Sequence, residues 1–295
     1  MPSAAMNELI DRFRAVRDAP AGQEPPPLEE IRAAFAPAGR IHPVPEDVRV
    51  EEVDAGGVPA HWLTAPGVDA GKVLVYVHGG GFMVGSLRSH AELAARLGRA
   101  AGARVLLPEY RLAPEHPFPA APEDVRTVWQ WVRAQGVPAS SIVLAGDSAG
   151  GNLVLGLLIA LRDAGEELPA AAALLSPGTD CTGESFTDTD DPIFTVERLR
   201  ALVAPYVGDA DPRDPLVSPL YADLTGLPQL LVQVGTAELL LANSELFAEA
   251  ATAAGVDVTL HVEEGAPHVY PIMLGTPEAE AATAQAAEFF RAAVG

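Results

Sequence analysis

The sequence is poor in cysteine, with a single thiol at Cys181 among its 295 residues. One cysteine excludes an intramolecular disulfide, and the chain has neither a CxxC nor an HExxH spacing that would indicate zinc. We therefore expect no metal and no other cofactor. Charged residues occur from position 8 onward, so the N-terminus lacks the apolar core of a signal peptide. Together with the scarce cysteine, this predicts a cytoplasmic location.

Basic residues are also scarce, with 19 Lys and Arg against 40 Asp and Glu, giving a formal net charge of −21 at pH 7. Nucleic acids and anionic membrane surfaces are bound by basic faces, so the sequence disfavours both as partners. The simplest interpretation of the acidic excess is solubility. No uncharged apolar run reaches the roughly 18 residues that a membrane-spanning helix needs.

Short apolar runs and helical stretches alternate along most of the chain. Five of the runs lack the alternation of a half-exposed strand, which is typical of a parallel sheet covered on both faces. These runs lie at 72–77, 104–110, 141–146, 171–176 and 230–235. Helical stretches lie between or after them, at 91–101, 122–135, 150–164, 244–254 and 277–293. An antiparallel pair at 48–53 and 60–64 and an outer strand within 256–264 complete a predicted α/β fold with a mostly parallel sheet.

The segment 178–214 interrupts this alternation, because it is far longer than the usual connection between a strand and the next element. One helical patch, at 195–207, lies within it. Two amphipathic stretches at 6–17 and 28–35 precede the first strands and also need a surface to pack on. We interpret 178–214 as an insertion over the strand ends, together with these helices; the alternative is a surface excursion without a role.

A Gly-x-Ser-x-Gly motif at 146–150 centres on Ser148. The motif alone is weak, but here a buried strand runs directly into it and a long apolar helix runs directly out. This is the setting of a nucleophile elbow, in which a tight turn requires glycine on both sides and raises the serine above the sheet. The serine then lies at a helix N-terminus, which favours developing negative charge. The alternative is that Ser148 simply caps the helix.

Three glycines follow His78 at the end of the first central strand. A glycine run leaves backbone N–H groups open to an approaching substrate, and acyl transfer needs such donors for the oxyanion of its tetrahedral intermediate. A flexible loop or a phosphate cradle are the alternatives, and the phosphate reading lacks the GxxxxGK[ST] pattern. His78 itself is more typical of a loop-shaping residue than of a base.

A serine nucleophile needs a base, and the base needs an orienting carboxylate. His268 follows the last predicted strand, where a loop can carry its imidazole over the elbow. The chain order Ser, acid, His places the acid between the two, just beyond a strand end. Glu238 meets this condition, whereas Glu263 and Glu264 lie beside His268 and are expected to be solvated. A helix N-terminal acid remains the alternative for Glu238, and a loop histidine without a role remains the one for His268.

Several segments together resemble the hormone-sensitive-lipase-like (bacterial family IV) esterases of the α/β-hydrolase superfamily. They are HGGGF, YRLAPEHPFPAAPED, GDSAGGN, SPGTD and DPLVSPLYADLTGLPQLLVQVG. The match covers roughly residues 50 to 290. The resemblance implies an α/β-hydrolase fold with a sheet of about eight strands and a helical cap. We accordingly expect residues 1–45 and 178–214 to form the cap, and 46–177 with 215–295 to form the catalytic core.

The resemblance also implies roles for individual residues. Ser148 would be the nucleophile and His268 the base, with Glu238 as the acid. The expected oxyanion donors are the backbone N–H groups of Gly80, Gly81 and Ala149, and the expected substrate-binding residues are Phe82 and Asp147. The family's usual pattern at the acid is Asp-Pro-Leu followed by Asp, whereas here the residues are Glu-Leu-Leu-Leu-Ala. This resembles a subset with glutamate as the acid, some members of which act on lactones or bulky alicyclic esters.

The function that these motifs predict is hydrolysis of short- to medium-chain carboxylic esters through an acyl-enzyme. Lactone hydrolysis on the same triad is the alternative within the class. A non-catalytic small-molecule receptor on the same fold is the remote alternative, since such receptors typically lose the base. The partner is therefore a small-molecule ester or lactone. The outer strand at 256–264 is expected to form an edge of the sheet. Two copies of the chain can pair along such an edge, so we expect a homodimer.

Overall fold

The computed structural model describes residues 1–19, 27–36 and 42–294, which form a sheet of eight strands with helices on both faces. The strand order across the sheet is β1-β2-β4-β3-β5-β6-β7-β8. The pairs β1/β2 and β2/β4 are antiparallel, and the remaining pairs are parallel. The predicted mostly parallel sheet of about eight strands is confirmed.

The strands, in chain order, have these bounds: β1 Arg49–Asp54, β2 Pro59–Thr64, β3 Asp69–Val77, β4 Ala103–Pro108, β5 Ile142–Asp147, β6 Ala171–Leu175, β7 Gln229–Gly235 and β8 Val258–Glu263. The α-helices have these bounds: α1 Ala4–Arg17, α2 Leu28–Ala34, α3 Leu87–Ala101, α4 Ala120–Ala134, α5 Ala149–Asp163, α6 Val196–Val207, α7 Leu241–Ala253 and α8 Pro277–Val294.

The central strands are buried along almost their whole length, since each face of the sheet carries its own hydrophobic core. Every residue of β5 and β6 is buried. On one face the core contains apolar side chains of α4, α5 and α7. On the other face it contains side chains of α3 and α8, joined by Met6, Leu9 and Ile10 of α1. Burial on both faces is why these strands read as continuous apolar runs.

Helix α3 begins four residues before its predicted start. The Ser89 hydroxyl accepts the N–H of Ser86 at 2.9 Å, and the Glu109 carboxylate accepts the N–H of Leu87 at 2.6 Å. These contacts satisfy N–H groups that the first turn of a helix leaves free. Because Glu109 follows β4 and lies 22 positions away, periodicity within the helix could not reveal its contribution.

The segment 178–214 carries helix α6, as predicted, and α1 and α2 also form. Of the predicted N-terminal part of the cap, residues 20–26 and 37–41 lie outside the described residues. Strand β8 is an edge of the sheet, as expected, and Val262 on it is exposed. Pairing of two copies along this edge stays a prediction. Within the described ranges, the helices are all too short or too polar to cross a membrane.

Helix α3 packs so closely on β4 that we expect Gly98 of this helix to be needed for stability. A Cβ added at Gly98 would overlap Cγ2 of Val105 on β4 and lie 3.0 Å from the carbonyl oxygen of Ala103. We expect Gly98→Ala to lower the free energy of unfolding by about 1–3 kcal/mol, as overpacking does. Denaturant unfolding of the purified variant measures this.

Gly156 in α5 provides the matched control, since its added Cβ would meet only the Leu216 carbonyl oxygen, at 3.6 Å. Gly156→Ala should leave stability unchanged or raise it by up to about 1 kcal/mol through helix propensity. Equal effects of the two substitutions would contradict the close approach of α3 to β4.

Candidate active site

Ser148 lies in the turn between β5 and α5, in a backbone conformation that side-chain-bearing residues rarely adopt. Its φ and ψ are 51° and −117°. A Cβ at Gly146 would collide with the backbone of Gly150, and a Cβ at Gly150 would collide with the carbonyl of Val77. Any larger residue at these two positions would clash, so only glycine fits there. The Ser148 N–H donates to the carbonyl oxygen of Leu175 on the neighbouring strand at 2.8 Å, which holds the strained turn in place.

Two loops bring His268 and Glu238 to Ser148. The loop after β8 carries His268, whose Nε2 lies 3.0 Å from Ser148 Oγ. Its Nδ1 lies 2.5 Å from Oε2 of Glu238, which follows β7. The structure therefore brings together the three residues that the sequence predicted as nucleophile, base and acid, in one chain of hydrogen bonds.

The second carboxylate oxygen of Glu238 is held from the sheet side. Oε1 accepts the N–H of Gly235 at 2.8 Å and the hydroxyl of Ser176 at 2.7 Å. The helix that follows starts only at Leu241, and the Glu238 carboxylate turns away from it. Glu238 is fully buried. Its bonds to Gly235 and Ser176, together with its contact with the His268 imidazole, offset the cost of removing its charge from water.

Ser176 connects Glu238 to the loop of His268, and no motif in the sequence singled it out. It lies just after β6 with a φ of 46° and is fully buried. While its hydroxyl donates to Glu238, its oxygen accepts the N–H of Val269, the neighbour of His268, at 3.0 Å. One hydroxyl thus bridges the loop that carries Glu238, 62 positions later in the sequence, and the loop that carries Val269, 93 positions later. The only sequence signal was its place at the end of a buried strand, in the SPGTD segment.

The electrostatic surroundings of His268 favour its protonated form. Burial opposes a charge on the imidazole, but Glu238 beside it, together with Asp191 and Asp147, raises the pKa of His268 above its ordinary 6.5. Carboxylates around a histidine stabilise the imidazolium that proton uptake from serine creates. The arrangement suits a base whose protonation is part of the reaction.

The glycine loop lies beside Ser148 with its N–H groups available. Gly80 has a φ of 117°, and a Cβ there would overlap the carbonyl oxygen of Val84, so only glycine fits. Among the described residues, the N–H groups of Gly80 and Gly81 have no hydrogen-bond acceptor. The third expected donor, Ala149, is the first residue of α5. The three predicted oxyanion donors therefore border the same space as the Ser148 hydroxyl.

Asp147 borders the cavity through its position beside Ser148, but its carboxylate is bonded inside the protein. Oδ1 accepts the Tyr76 hydroxyl at 2.7 Å and the Gly79 N–H at 3.0 Å, and Oδ2 lies 3.4 Å from Nε2 of His90. Although burial opposes its charge, these partners lower the pKa of Asp147. Both carboxylate oxygens are thus engaged within the protein, and the bond to Gly79 holds the glycine loop. The predicted role of Asp147 in binding substrate stays a prediction.

His78 is also part of this support and not a base. It is fully buried, and its Nδ1 lies 2.9 Å from the Gly79 carbonyl oxygen. Burial and the neighbouring His90 lower the pKa of His78 to about 3. The ring therefore stays neutral and stacks on Tyr110, whose hydroxyl donates to the His78 carbonyl oxygen at 2.8 Å.

Phe82, the other expected substrate-binding residue, lines the cavity and anchors the helix above it. Its ring stacks on Tyr206 of α6, with centroids 3.6 Å apart and planes 5° from parallel. Its φ of 62° is unusual for an aromatic residue. One face of the ring is thus covered by α6, so Phe82 contributes to the cavity wall and to attachment of the segment 178–214.

A cavity of about 500 Å³ extends from Ser148 and His268. Its wall is mostly apolar and combines the glycine loop with helices α1, α2 and α6 and the segment before α6. The apolar side chains that these helices and this segment contribute include Phe13, Ile31, Phe35, Phe194, Leu199 and Leu202. The sequence predicts that these elements cover the strand ends, but it does not identify the individual side chains of the wall. In the described part of the chain, no three His, Cys, Asp or Glu side chains are grouped so as to hold a metal ion.

Comparison with known proteins identifies the family to which this architecture belongs. A family model described as an α/β-hydrolase fold matches residues 74–272. An acetyl-hydrolase of Streptomyces hygroscopicus is 41% identical over 265 residues, which cover 87% of this chain and 86% of that protein. An esterase of Acinetobacter venetianus is 36% identical over 256 residues, covering 85% and 84% of the two chains.

Solved structures agree with these relatives. An esterase from the bacterial hormone-sensitive lipase family superimposes with a TM-score of 0.92 at 42% identity, and the match covers 100% of both chains. A hormone-sensitive lipase from a metagenome library has a TM-score of 0.92 at 32% identity, again over 100% of both chains. The chain therefore belongs to the α/β-hydrolase family and, within it, to the bacterial esterases related to hormone-sensitive lipase.

Proposed function

We propose that the chain is a serine carboxylesterase that hydrolyses short- to medium-chain esters through an acyl-enzyme. The observation that carries this proposal is the chain of hydrogen bonds from Ser148 through His268 to Glu238, beneath an apolar cavity. The relatives named esterase and acetyl-hydrolase support the same reaction class.

In this mechanism Ser148 Oγ attacks the ester carbonyl carbon as Nε2 of His268 takes its proton. The imidazolium then gives that proton to the departing alcohol oxygen, which leaves an acyl group on Ser148. Water attacks the acyl-enzyme with His268 again as the base, and the acid is released. Glu238 holds the imidazole so that Nε2 faces the serine, and its charge stabilises the imidazolium.

The oxyanion of each tetrahedral intermediate would be held by the N–H groups of Gly80, Gly81 and Ala149. The first two have no other partner among the described residues, and the third lies at the N-terminus of α5, where the helix dipole favours negative charge. Donors fixed before the reaction need no reorganisation as the charge develops, which is the main source of their effect.

We propose that residues 1–45 and 178–214 act as a cap that selects the substrate, over a core formed by 46–177 and 215–295. This is supported by the cavity wall, to which α1, α2 and α6 all contribute apolar side chains. A cavity of about 500 Å³ accommodates a small ester. The apolar wall favours neutral acyl and alcohol groups, because a charged group would lose its water there.

A lactone hydrolase on the same triad is the second candidate, and the mostly apolar cavity of about 500 Å³ favours it because a compact alicyclic ring fits such a space. Turnover of a panel of lactones, compared with that of open-chain esters of equal carbon number, distinguishes the two. A non-catalytic receptor is disfavoured, since the base is within hydrogen-bond distance of the serine.

The first prediction from this site concerns the proposed nucleophile. Ser148→Ala should reduce hydrolysis of an activated short-chain aryl ester to a trace, by about 10⁴-fold or more, because the attacking oxygen is removed. A fluorophosphonate should label the folded wild-type protein at Ser148 and fail to label the variant. Absence of labelling in the folded wild-type protein would favour the receptor instead.

The second prediction concerns pH. Since His268 must be neutral to accept the serine proton, kcat/KM should fall as pH decreases through the raised pKa of His268, which lies above 6.5. Glu238→Gln removes the carboxylate that stabilises the imidazolium, so this acid limb should move to lower pH while kcat falls by about 10²- to 10⁴-fold. An unmoved limb would contradict the role of Glu238 as the acid.

The third prediction concerns Ser176. Ser176→Ala removes the hydroxyl that Glu238 accepts and leaves the Val269 N–H without its acceptor, so we expect kcat to fall by about 10- to 100-fold. Ser244→Ala is the matched control, because the Ser244 hydroxyl is equally buried and has no hydrogen-bond partner in the described part of the chain. The control should retain full activity, and an equal loss in both variants would argue against the bridge.

A further inference from the structure

A second carboxylate, Asp191, lies buried behind the base. It belongs to the segment before α6 and is 2% exposed. Its Oδ1 accepts the N–H groups of Ile193 at 2.7 Å and Phe194 at 3.0 Å, while its Oδ2 accepts the N–H of Leu239 at 2.9 Å. The mechanism proposed above gives this group no part.

The bond to Leu239 is the one that a local turn does not explain. Bonds from an aspartate to N–H groups two and three positions later form an ordinary Asx turn. Leu239, in contrast, lies 48 positions away and directly follows Glu238. Through this bond Asp191 fixes the backbone beside the acid, which in turn sets where the Glu238 carboxylate meets His268.

The residues that Asp191 orders also contact the base. Phe194, whose N–H is bonded to the Asp191 carboxylate, packs its ring against the His268 imidazole in a T-shaped arrangement, with centroids 5.4 Å apart and planes 72° from parallel. The segment is secured from the other side by Arg17 of α1, which donates to the Asp191 carbonyl oxygen and to the Asp190 carboxylate. Asp191 is therefore the point where α1, the segment before α6 and the acid loop are joined.

The charge of Asp191 acts on the base as well. Burial raises the pKa of the Asp191 carboxyl, which its three N–H donors and His268 oppose. The charged groups that act on the imidazole are Glu238 before α7, Asp191 before α6 and Asp147 at the end of β5, and all three favour its protonated form. Of these, Glu238 touches the imidazole and Asp147 is bonded to the glycine loop.

We propose that Asp191 is a positioning residue for the reaction, which holds the Glu238 loop and the Phe194 ring against His268 and supplies a second negative charge that stabilises the imidazolium. It does not touch the reacting atoms. This inference rests on the proposed esterase function, since it assigns Asp191 a part in setting the basicity of the catalytic histidine.

The test is the substitution Asp191→Asn, which keeps the shape of the side chain, removes its charge and replaces one of its two accepting oxygens with an NH2 group. We expect the acid limb of kcat/KM to move to lower pH by about half a unit, because a nearby negative charge that raised the pKa of His268 is lost. We expect kcat to fall by about tenfold with KM changed much less, as when an interaction made in the transition state is removed.

Asp190→Asn is the matched control. It removes one negative charge from the same segment, at the side chain that Arg17 contacts, but the Asp190 side chain is 64% exposed and accepts no bond from the acid loop in the described part of the chain. The control should leave the acid limb in place. A shift of equal size in both variants, or in neither, would overturn the proposal, since a purely structural role would not move the limb in Asp191→Asn alone.

A measurement independent of turnover separates this inference from the proposed function. NMR titration of the His268 imidazole, assigned by comparison with a His268→Gln variant, should show a lower pKa in Asp191→Asn than in the wild-type protein. If the wild-type protein does not hydrolyse esters, the proposed function is wrong, whereas an unchanged imidazole pKa in an active enzyme overturns only the role of Asp191.

A second variant guards against a failure to fold. Asp191→Ser also removes the charge but keeps an oxygen that can accept the N–H groups of Ile193 and Phe194, and it should show the same downward shift of the acid limb. The unfolding transition shows that the variant compared is folded. An acid limb that stays in place in a folded Asp191→Ser protein refutes the positioning role.

Discussion

The contact between the Glu238 carboxylate and the His268 imidazole is the interaction on which the rest of the site depends. A fully buried carboxylate is costly to remove from water unless it is paired and hydrogen-bonded. Here one oxygen meets the imidazole, and the other accepts the Gly235 N–H and the Ser176 hydroxyl. The ends of three adjacent strands, β6, β7 and β8, must therefore lie in register to complete the site. Strand pairing in the sheet and placement of the His268 imidazole are in this sense a single constraint.

The same contacts explain why glutamate fits at position 238. The side chain turns back toward the strand it follows, because the N–H that it accepts belongs to Gly235, three positions earlier. From that backbone position the carboxylate must reach both the sheet side and the His268 ring. An aspartate is one methylene shorter, so from the same backbone it could not keep the full set of bonds. The glutamate and the path of the loop are matched to each other, and a family member with aspartate needs a loop that approaches more closely.

Much of the architecture could be predicted from the sequence, because its determinants are local. Buried strands read as apolar runs, and the elbow at Ser148 is visible in the glycines that a tight turn requires. The order of serine, acid and histidine then narrowed the choice to Glu238 and His268. The start of α3 at Leu87 could not be predicted, because Glu109 satisfies its first N–H from another element. Ser176 and Asp191 were missed for the same reason, since their partners lie far away in sequence.

Three buried carboxylates around one imidazole create an electrostatic requirement that shapes the other half of the site. Glu238, Asp191 and Asp147 favour the imidazolium, but the same negative field opposes an oxyanion close by. Under the proposed mechanism, the oxyanion would therefore need strong hydrogen-bond donors to offset this field. The N–H groups of the glycine loop and of the start of α5 would supply them, and the Asp147 carboxylate is bonded to the N–H of Gly79 in that loop. A single buried acid thus contributes to charge on the base while holding the loop that would neutralise charge on the substrate.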